Sequence, residues 1–283
     1  MFHKSEITIG LYLTPECLYA KKIQQSPRGT VTHHEYHALP LDSASQSLSE
    51  ALSLDPSQPG RYLCHITISH HYTHQQIIEL EIPIPERAIV RYLEHVGESL
   101  FQHPWDTLYY DYHRMASEKK DRVYFISVCK QTLIQQRILK HLPGYCQFIS
   151  LQPEWLIGLH LIAYVSTKKQ SIICVLYCDS NHLIHYTFSS HQLLSYEVIT
   201  LTHDPVESIS IVEDYIRAHI TMDGVYVITA NRLVRHQLLD SDEIKCQLIP
   251  IEDTLPPSFQ SLGTEEAFSH AELMTTLTAL TPR

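Results

Sequence analysis

The side chains that could do chemistry include clustered histidines and spaced cysteines, and their spacing decides what each group could do. His70, His71 and His74 form an H-H-x-x-H pattern. A zinc site needs three or four converging ligands, whereas this pattern falls in a polar stretch after a predicted strand. We interpret it as a loop and predict no metal site. Cys174 and Cys178 lie four residues apart and share one face of a predicted strand, which favours core packing over metal binding.

The sequence indicates no catalytic centre. The G-x-S-x-G pattern of a nucleophile elbow does not occur in it. Asp111 and Glu154 could act as an acid–base pair. Each lies near the end of a predicted strand or helix, where carboxylates commonly cap backbone groups or stay in solvent. We therefore predict that the protein has no catalytic residue and is not an enzyme.

The charge balance and the cysteines limit the class of partner and the compartment. The net charge is −10 with neutral histidines, which argues against nonspecific nucleic-acid binding and suits a basic peptide. The seven cysteines contain no C-x-x-C pair, so we predict free thiols in a reducing compartment. No apolar run reaches the about 20 residues of a membrane span. We expect a cytoplasmic protein that reaches a membrane only through a partner.

Hydrophobic periodicity predicts two similar halves and an insertion. The first half begins with three strands (6–12, 16–23 and 30–37), then a helix (43–54) and a strand (62–68). A unit at 76–142 interrupts it, with predicted strands at 76–84, 108–114 and 122–129 and helices at 86–101 and 131–142. A strand at 146–151 and an apolar helix at 153–165 complete the first half.

The second half repeats the same order of elements. Its predicted strands are 171–178, 183–189, 194–200, 225–230 and 245–250, and its helices are 204–220, 232–239 and 264–280. Duplicated halves of this kind are typical of the actin-like and ribonuclease H-like α/β fold, with mixed sheets. The predicted domains are 1–75 with 143–170, the inserted α+β subdomain 76–142, and 171–283.

Four segments of the chain resemble the PilM family of type IV pilus assembly proteins. Residues 125–130, FISVCK, are similar to a family strand that ends in a small polar residue before a helix. Residues 105–112, WDTLYYDY, are similar to the family's pVxDY-like strand. Residues 150–156, SLQPEWL, are similar to its D-x-E-P-x-A-L-x-R helix start. Residues 7–11, ITIGL, resemble the opening of HofM, a short relative. The cytoplasmic part of the secretion protein GspL has a similar fold and shares this resemblance.

The resemblance implies nucleotide loops that have lost their key residues. Where the family usually reads D-I-G-S-S, residues 8–12 read TIGLY, which keeps Gly10 without the magnesium-organising acid. The second loop, expected as D-x-G, reads Asp179-Ser180-Asn181 and lacks the glycine that lets backbone N–H groups approach phosphate. The adenosine turn reads TAN at 229–231 instead of Gly-Gly. We expect no cofactor, weak or absent binding of Mg-ATP, and no hydrolysis.

The resemblance also implies a partner and a binding groove. In PilM, the cytoplasmic N-terminal tail of the bitopic membrane protein PilN docks between the inserted domain and its parent. The corresponding walls would include Leu80, Ile82, Tyr110 and Tyr112, although the same side chains could simply pack the predicted helix 86–101. The implied function is a scaffold of the pilus inner-membrane platform. The alternatives are an ATP-binding enzyme of the actin/sugar-kinase superfamily and a GspL-like component of type II secretion.

Overall fold

A computed structural model gives the fold of the chain as two compact units. The first unit comprises Met1–Ile157 with Ala271–Arg283, and the second comprises Gly158–His270. The structure describes residues 7–25, 31–41, 48–58, 62–115, 122–157, 172–178, 182–189, 192–202, 204–219 and 224–229, together with residues 274, 278 and 279.

The first unit is built on a five-stranded mixed sheet with the strand order β3-β2-β1-β4-β8. Strands β1, β2 and β3 form an antiparallel meander, while β4 runs parallel to β1 and β8 runs parallel to β4. The elements are β1 (Ile7–Leu13), β2 (Cys17–Gln25), β3 (Val31–Pro40), the short helix α1 (Leu48–Ala51), β4 (Tyr62–Ile68) and β8 (Cys146–Pro153).

Alternation along β1 explains which face of this sheet carries the core. Ile9, Leu11 and Leu13 are fully buried on one face, because successive strand residues point to opposite sides. They pack in one cluster with Leu48 and Ile134. Burying one such aliphatic side chain contributes roughly 1.5–3 kcal/mol, so this cluster holds the unit together.

The opposite face of the first sheet carries buried polar side chains that bond to one another. His65 Nδ1 lies 2.9 Å from Ser150 Oγ across β4 and β8. Thr67 Oγ1 lies 2.7 Å from Thr278 Oγ1, and both side chains are fully buried. Residues 274, 278 and 279 are helical. The segment 271–283, predicted to belong to the second half, is grouped with the first unit.

The insertion in the first unit forms a second, three-stranded antiparallel sheet in the order β5-β7-β6, which we call the inserted sheet. One face of it is covered by a 16-residue amphipathic helix, α2. The elements are β5 (His74–Glu79), α2 (Glu86–Phe101), β6 (Leu108–Arg114), β7 (Val123–Lys130) and α3 (Gln131–Arg137).

Several predicted elements end earlier than expected. The strand predicted at 76–84 lies at His74–Glu79, since Leu80 makes one further bond to the Arg122 carbonyl and the prolines beyond it lack N–H groups. The helix predicted at 131–142 ends at Arg137 and continues as a 3₁₀ turn at Leu139–His141.

Other predicted elements fall partly or wholly outside the described residues. Within the described part of 43–54, only Leu48–Ala51 is helical. Pro153, which was predicted to start a helix, is the last residue of β8, and residues 154–157 are helical. The predicted helix 232–239 and strand 245–250 lie outside the described residues.

The second unit repeats the order of the first four strands of the first sheet, β3-β2-β1-β4. Its sheet has the order β11-β10-β9-β12, in which β9, β10 and β11 form an antiparallel meander and β12 runs parallel to β9. The elements are β9 (Ile172–Cys178), β10 (His182–Ser189), β11 (Gln192–Thr200), α4 (Pro205–His219) and β12 (Gly224–Thr229). The duplicated order confirms the predicted α/β fold with two similar halves. The exact domain limits stay a prediction.

A chain of polar contacts crosses the second unit between its sheet and α4. The Tyr215 hydroxyl donates to Glu197 Oε2 at 2.8 Å and therefore accepts from His185 Nδ1. His185 Nε2 then accepts from Thr187 Oγ1 at 2.6 Å. These hydrogen bonds place the proton of the buried His185 side chain, which is 3% exposed, on Nδ1 and leave Nε2 as an acceptor.

Candidate functional site: the strand ends of the first sheet and the inserted sheet

The carboxyl ends of β1, β4 and β8 lie at one edge of the first sheet, where open α/β sheets commonly bind ligands. The turn between β1 and β2 is closed upon itself. Thr14 N–H donates to the Cys17 carbonyl at 3.0 Å, and Cys17 N–H donates to Thr14 Oγ1 at 3.2 Å. Pro15 has no N–H to offer. A phosphate would therefore find few backbone donors in this turn.

Of the two residues proposed from sequence for nucleotide binding, the structure describes Gly10. Gly10 lies inside β1, paired with Lys21 of β2 and His65 of β4, and not in a loop. The pairing of Leu13 with Leu18 places the turn four residues beyond Gly10. Asp179 lies outside the described residues. Tyr12, two residues from the turn, is the polar residue of β1 at the sheet edge.

A buried carboxylate stands at this edge. Glu154 follows β8 directly and is 6% exposed. Its Oε1 accepts from the Tyr12 hydroxyl at 2.7 Å, and its Oε2 accepts from the His70 N–H at 3.0 Å. His70 Nδ1 also lies 3.1 Å from Oε2. Three hydrogen-bonding groups from the ends of β1 and β4 thus hold one carboxylate.

The four residues proposed from sequence as groove walls lie on or beside the face of the inserted sheet that α2 covers. Leu80 is buried in the cluster under α2, and Tyr112 packs against the same cluster. Tyr110 is 36% exposed and its ring lies 4.6 Å from that of Trp105. Ile82 is 69% exposed, beyond the end of β5. Leu80 and Tyr112 therefore help to pack the helix.

Close packing against α2 restricts the same face. Trp105 lies between Phe101 and Tyr110, with ring centroids 6.2 and 4.6 Å away. Gly97 faces this ring, and a Cβ built there would lie 2.1 Å from Trp105 Cε3. The glycine therefore lets α2 approach the sheet end, and this face is filled by the chain itself.

The opposite face of the inserted sheet carries a row of polar side chains at one register position. Ser127 of β7 pairs with Gln75 of β5 on one side and with Asp111 of β6 on the other. Directly opposed side chains in antiparallel strands share a face and lie about 5 Å apart at Cβ. We call Gln75, Ser127 and Asp111 the polar row.

Buried polar atoms in and beside the polar row lack hydrogen-bond partners among the described residues. These atoms are Ser127 Oγ, Gln75 Oε1 and, next to the row, Trp155 Nε1. Ser127 is 3% exposed and Trp155 is 2% exposed. Leaving a buried polar group unpaired costs roughly 1–3 kcal/mol. On this face, these are the buried hydrogen-bonding atoms that the described residues leave unpaired.

The next register position along the sheet is apolar. It comprises Ile77, Phe125 and His113. Trp155 packs edge-on against Phe125 at 5.1 Å and against His113 at 5.8 Å between ring centroids. Ile77, on the outer strand β5, is 43% exposed. Polar hydrogen-bonding groups and an exposed aliphatic side chain thus lie side by side.

Burial shifts the ionisation of two groups on this face toward their neutral forms. Desolvation raises the pKa of Asp111 above its usual range, although the Tyr112 N–H and His113 oppose the shift. Desolvation also lowers the pKa of His113, against the attraction of Asp111. A cationic or strongly donating ligand group next to Asp111 would restore its charged form.

Two of the H-H-x-x-H histidines lie together, and the third has different neighbours. His70 contacts Glu154, and its ring centroid lies 4.0 Å from that of His71. His74 packs edge-on against Phe101 at 5.4 Å between ring centroids. Asp111 and Glu154, which were considered from sequence as an acid–base pair, lie in the polar row and directly after β8. Gln75, Ser127 and Trp155 were not identified from sequence as site residues. Alternation along β7 places Ser127 between apolar neighbours, and a lone serine inside an apolar strand was the available signal.

Comparisons with known proteins identify the fold of the chain but not a family to which it belongs. No family model and no curated protein matches the chain. It is similar to a chain of the PilM-PilN type IV pilus biogenesis complex, with 11% identity, coverage of 97% of this chain and 99% of that one, and a TM-score of 0.65. It is also similar to the cytoplasmic domain of EpsL, an inner-membrane component of the type II secretion system of Vibrio cholerae. There the identity is 11%, the coverage 98% and 96%, and the TM-score 0.52.

The similarity extends over nearly the whole of each chain, so the inserted sheet is included in it. The protein therefore has the actin-like fold that these pilus and secretion proteins share, with two similar halves and an insertion in the first. The resemblance to the PilM family is confirmed at the level of the fold. Within the described residues, no helix is long and apolar enough to cross a membrane.

Proposed function

We propose that the protein is a cytoplasmic scaffold of a type IV pilus inner-membrane assembly platform. It binds the N-terminal cytoplasmic tail of a PilN-like bitopic membrane protein and meets the membrane through that tail. The observation that carries the proposal is the polar row, in which the Ser127 and Gln75 side-chain oxygens, like the nearby Trp155 indole N–H, have no partner among the described residues. The shared fold with a chain of a PilM-PilN complex supports the choice of partner.

An extended peptide fits the chemistry of this face. Gln75 Oε1 accepts a hydrogen bond, Trp155 Nε1 donates one, and Ser127 Oγ can do either. Peptide groups and polar side chains carry both donors and acceptors. The exposed Ile77 offers an apolar contact one register position away. The net charge of −10 favours a basic segment.

The proposed scaffold works without nucleotide. The β1–β2 turn uses its own Thr14 and Cys17 N–H groups internally, and the buried carboxylate of Glu154 stands at the same edge. A triphosphate would meet this negative charge where it needs donors and Mg²⁺. We therefore propose no ATP cofactor and no hydrolysis, in contrast to the enzymes that share the actin-like fold.

A second candidate is a component of a type II secretion platform. The similarity in fold to the cytoplasmic domain of EpsL favours it. Both candidates are scaffolds that bind an inner-membrane protein, and they differ in which membrane protein supplies the tail.

Calorimetric titration with synthetic peptides tests the proposal. The peptides are the N-terminal cytoplasmic segments of bitopic inner-membrane proteins encoded next to this chain, and a scrambled peptide is the control. We expect one segment to bind with a 1:1 ratio and Mg-ATP to give no heat. Absence of binding by every segment would overturn the scaffold, and tight binding of Mg-ATP would favour an enzyme.

A further inference from the structure

A side chain of the protein itself, that of Glu154, lies at the strand ends of the first sheet. β1, β4 and β8 are parallel and end at one edge. In folds of this type, phosphate groups at such edges accept hydrogen bonds from backbone N–H groups in the turns. Here the turn after β4 directs the His70 N–H at Glu154 Oε2, 3.0 Å away.

The surroundings of Glu154 are those of a bound anion. Its side chain is 6% exposed, and a buried carboxylate is stable only when hydrogen bonds replace its water. Tyr12 supplies one bond at 2.7 Å to Oε1. His70 supplies its backbone N–H to Oε2, and its Nδ1 lies 3.1 Å from the same oxygen. Both oxygens are therefore held, which fixes the direction of the carboxylate.

We propose that Glu154 is an internal anion that takes the place of a bound phosphate at this edge and positions Trp155 against the inserted sheet. Glu154 and Trp155 are consecutive in the chain, so holding the carboxylate fixes the backbone from which the indole projects. Trp155 then packs on Phe125, beside the polar row. Glu154 is thus a positioning residue for the proposed binding face, and this consequence rests on the proposed function.

The arrangement makes the position of Trp155 independent of a nucleotide. In a protein that needs a bound phosphate at this edge, loss of the ligand would leave the N–H donors without an acceptor. Glu154 supplies a covalently attached acceptor, which is always at high effective concentration. The binding face is then set as soon as the first unit has folded.

Fluorescence of Trp155 tests the positioning role without any partner. The chain has two tryptophans, Trp105 and Trp155, so a Trp105→Phe background leaves one reporter. Adding Glu154→Ala should shift the emission of Trp155 to longer wavelength and increase its quenching by acrylamide. Glu154→Gln, which keeps the volume and one acceptor, should give a smaller change and guards against loss of folding. Glu207→Ala on α4 is the matched control.

Chemical rescue distinguishes an internal anion from a merely structural side chain. Acetate or inorganic phosphate added to the Glu154→Ala variant should restore the emission of Trp155, and chloride should not. An unchanged emission in Glu154→Ala, or a shift that neither anion reverses, would overturn the proposal. Tyr12→Phe, which removes one donor, should lower the affinity of the rescuing anion.

The affinity for the peptide partner is a separate readout. We expect Glu154→Ala to weaken binding about 10-fold, equivalent to about 1.4 kcal/mol, with recovery in acetate. If the emission shift and its rescue occur while no peptide binds the unsubstituted protein, the internal anion stands and the proposed function fails. If peptide binds equally to both proteins, the positioning role fails.

Discussion

Replacing Ser127 with alanine tests the proposed binding face, because the substitution should stabilise the free protein but weaken its complex with the peptide. Ser127 is 3% exposed, and its hydroxyl oxygen has no hydrogen-bond partner among the residues that the structure describes. Burial of an unpaired hydroxyl costs roughly 1–3 kcal/mol. Alanine keeps Cβ and removes that oxygen, so it leaves little empty volume.

We expect Ser127→Ala to stabilise the free protein and to weaken its complex. The free energy of unfolding should rise by about 1 kcal/mol, which corresponds to about 2–4 °C in Tm for a unit of this size. A neutral hydrogen bond contributes about 0.5–1.5 kcal/mol, so the loss of one to the peptide should raise Kd about 3- to 10-fold. Urea unfolding followed by fluorescence and calorimetric titration measure the two quantities.

A matched substitution at an exposed serine separates the effect at Ser127 from the general effect of replacing serine with alanine. Ser57 lies exposed in the turn after α1, and Ser57→Ala should change neither stability nor affinity by more than about 0.5 kcal/mol. A Ser127→Ala protein that unfolds more easily would mean that the hydroxyl has a partner in the free protein. An unchanged Kd would mean that the peptide does not reach the polar row.

Three further substitutions test other parts of the structure. Gly97→Ala should lower the free energy of unfolding by about 1–2 kcal/mol although alanine normally favours helix, because its Cβ would lie 2.1 Å from Trp105 Cε3; stabilisation in urea unfolding would contradict this packing. Burial raises the pKa of Asp111, so the free energy of unfolding falls as pH rises through the raised value. Asp111→Asn should therefore stabilise the protein at pH 7 by about 0.5–1 kcal/mol, after allowance for solvent screening. At pH 3, below the pKa of the unfolded state, it should not stabilise the protein. Equal stabilisation at the two pH values would contradict the raised pKa of Asp111. Tyr215→Phe should lower the free energy of unfolding by about 1–2 kcal/mol, and with it Tm, because it removes the hydroxyl that accepts from His185 Nδ1. An unchanged Tm would argue against the assigned tautomer.

Local periodicity was sufficient to predict most of the described elements. The alternation of Ile9, Leu11 and Leu13 identifies β1 and its core face, and both are observed. The spacing of Ile89, Leu93 and Phe101 predicts helix α2, whose bounds agree at both ends. The repeated order of strands and helices indicates duplicated halves, which the two sheets confirm. These features depend on side chains a few residues apart, so a sequence carries them directly.

The binding face could not be predicted in the same way. Alternation shows that Tyr110 and Tyr112 share a face of β6, but it does not show which face α2 covers. The structure places both on the helix side, with Tyr112 packed against the cluster under α2. The same ambiguity explains why the opposite face, which carries the polar row, was not identified from sequence.

The sequence by itself determined the type and order of the elements, the absence of the acid from the first expected nucleotide loop, and the absence of glycine from the other two. Tertiary structure alone decided that Gln75, Ser127 and Asp111 form one row and that Glu154 meets Tyr12 and His70. These groups come from distant segments, and strand register brings them together. Register depends on which strands pair and where each turn falls, and a shift of one residue would reverse every face.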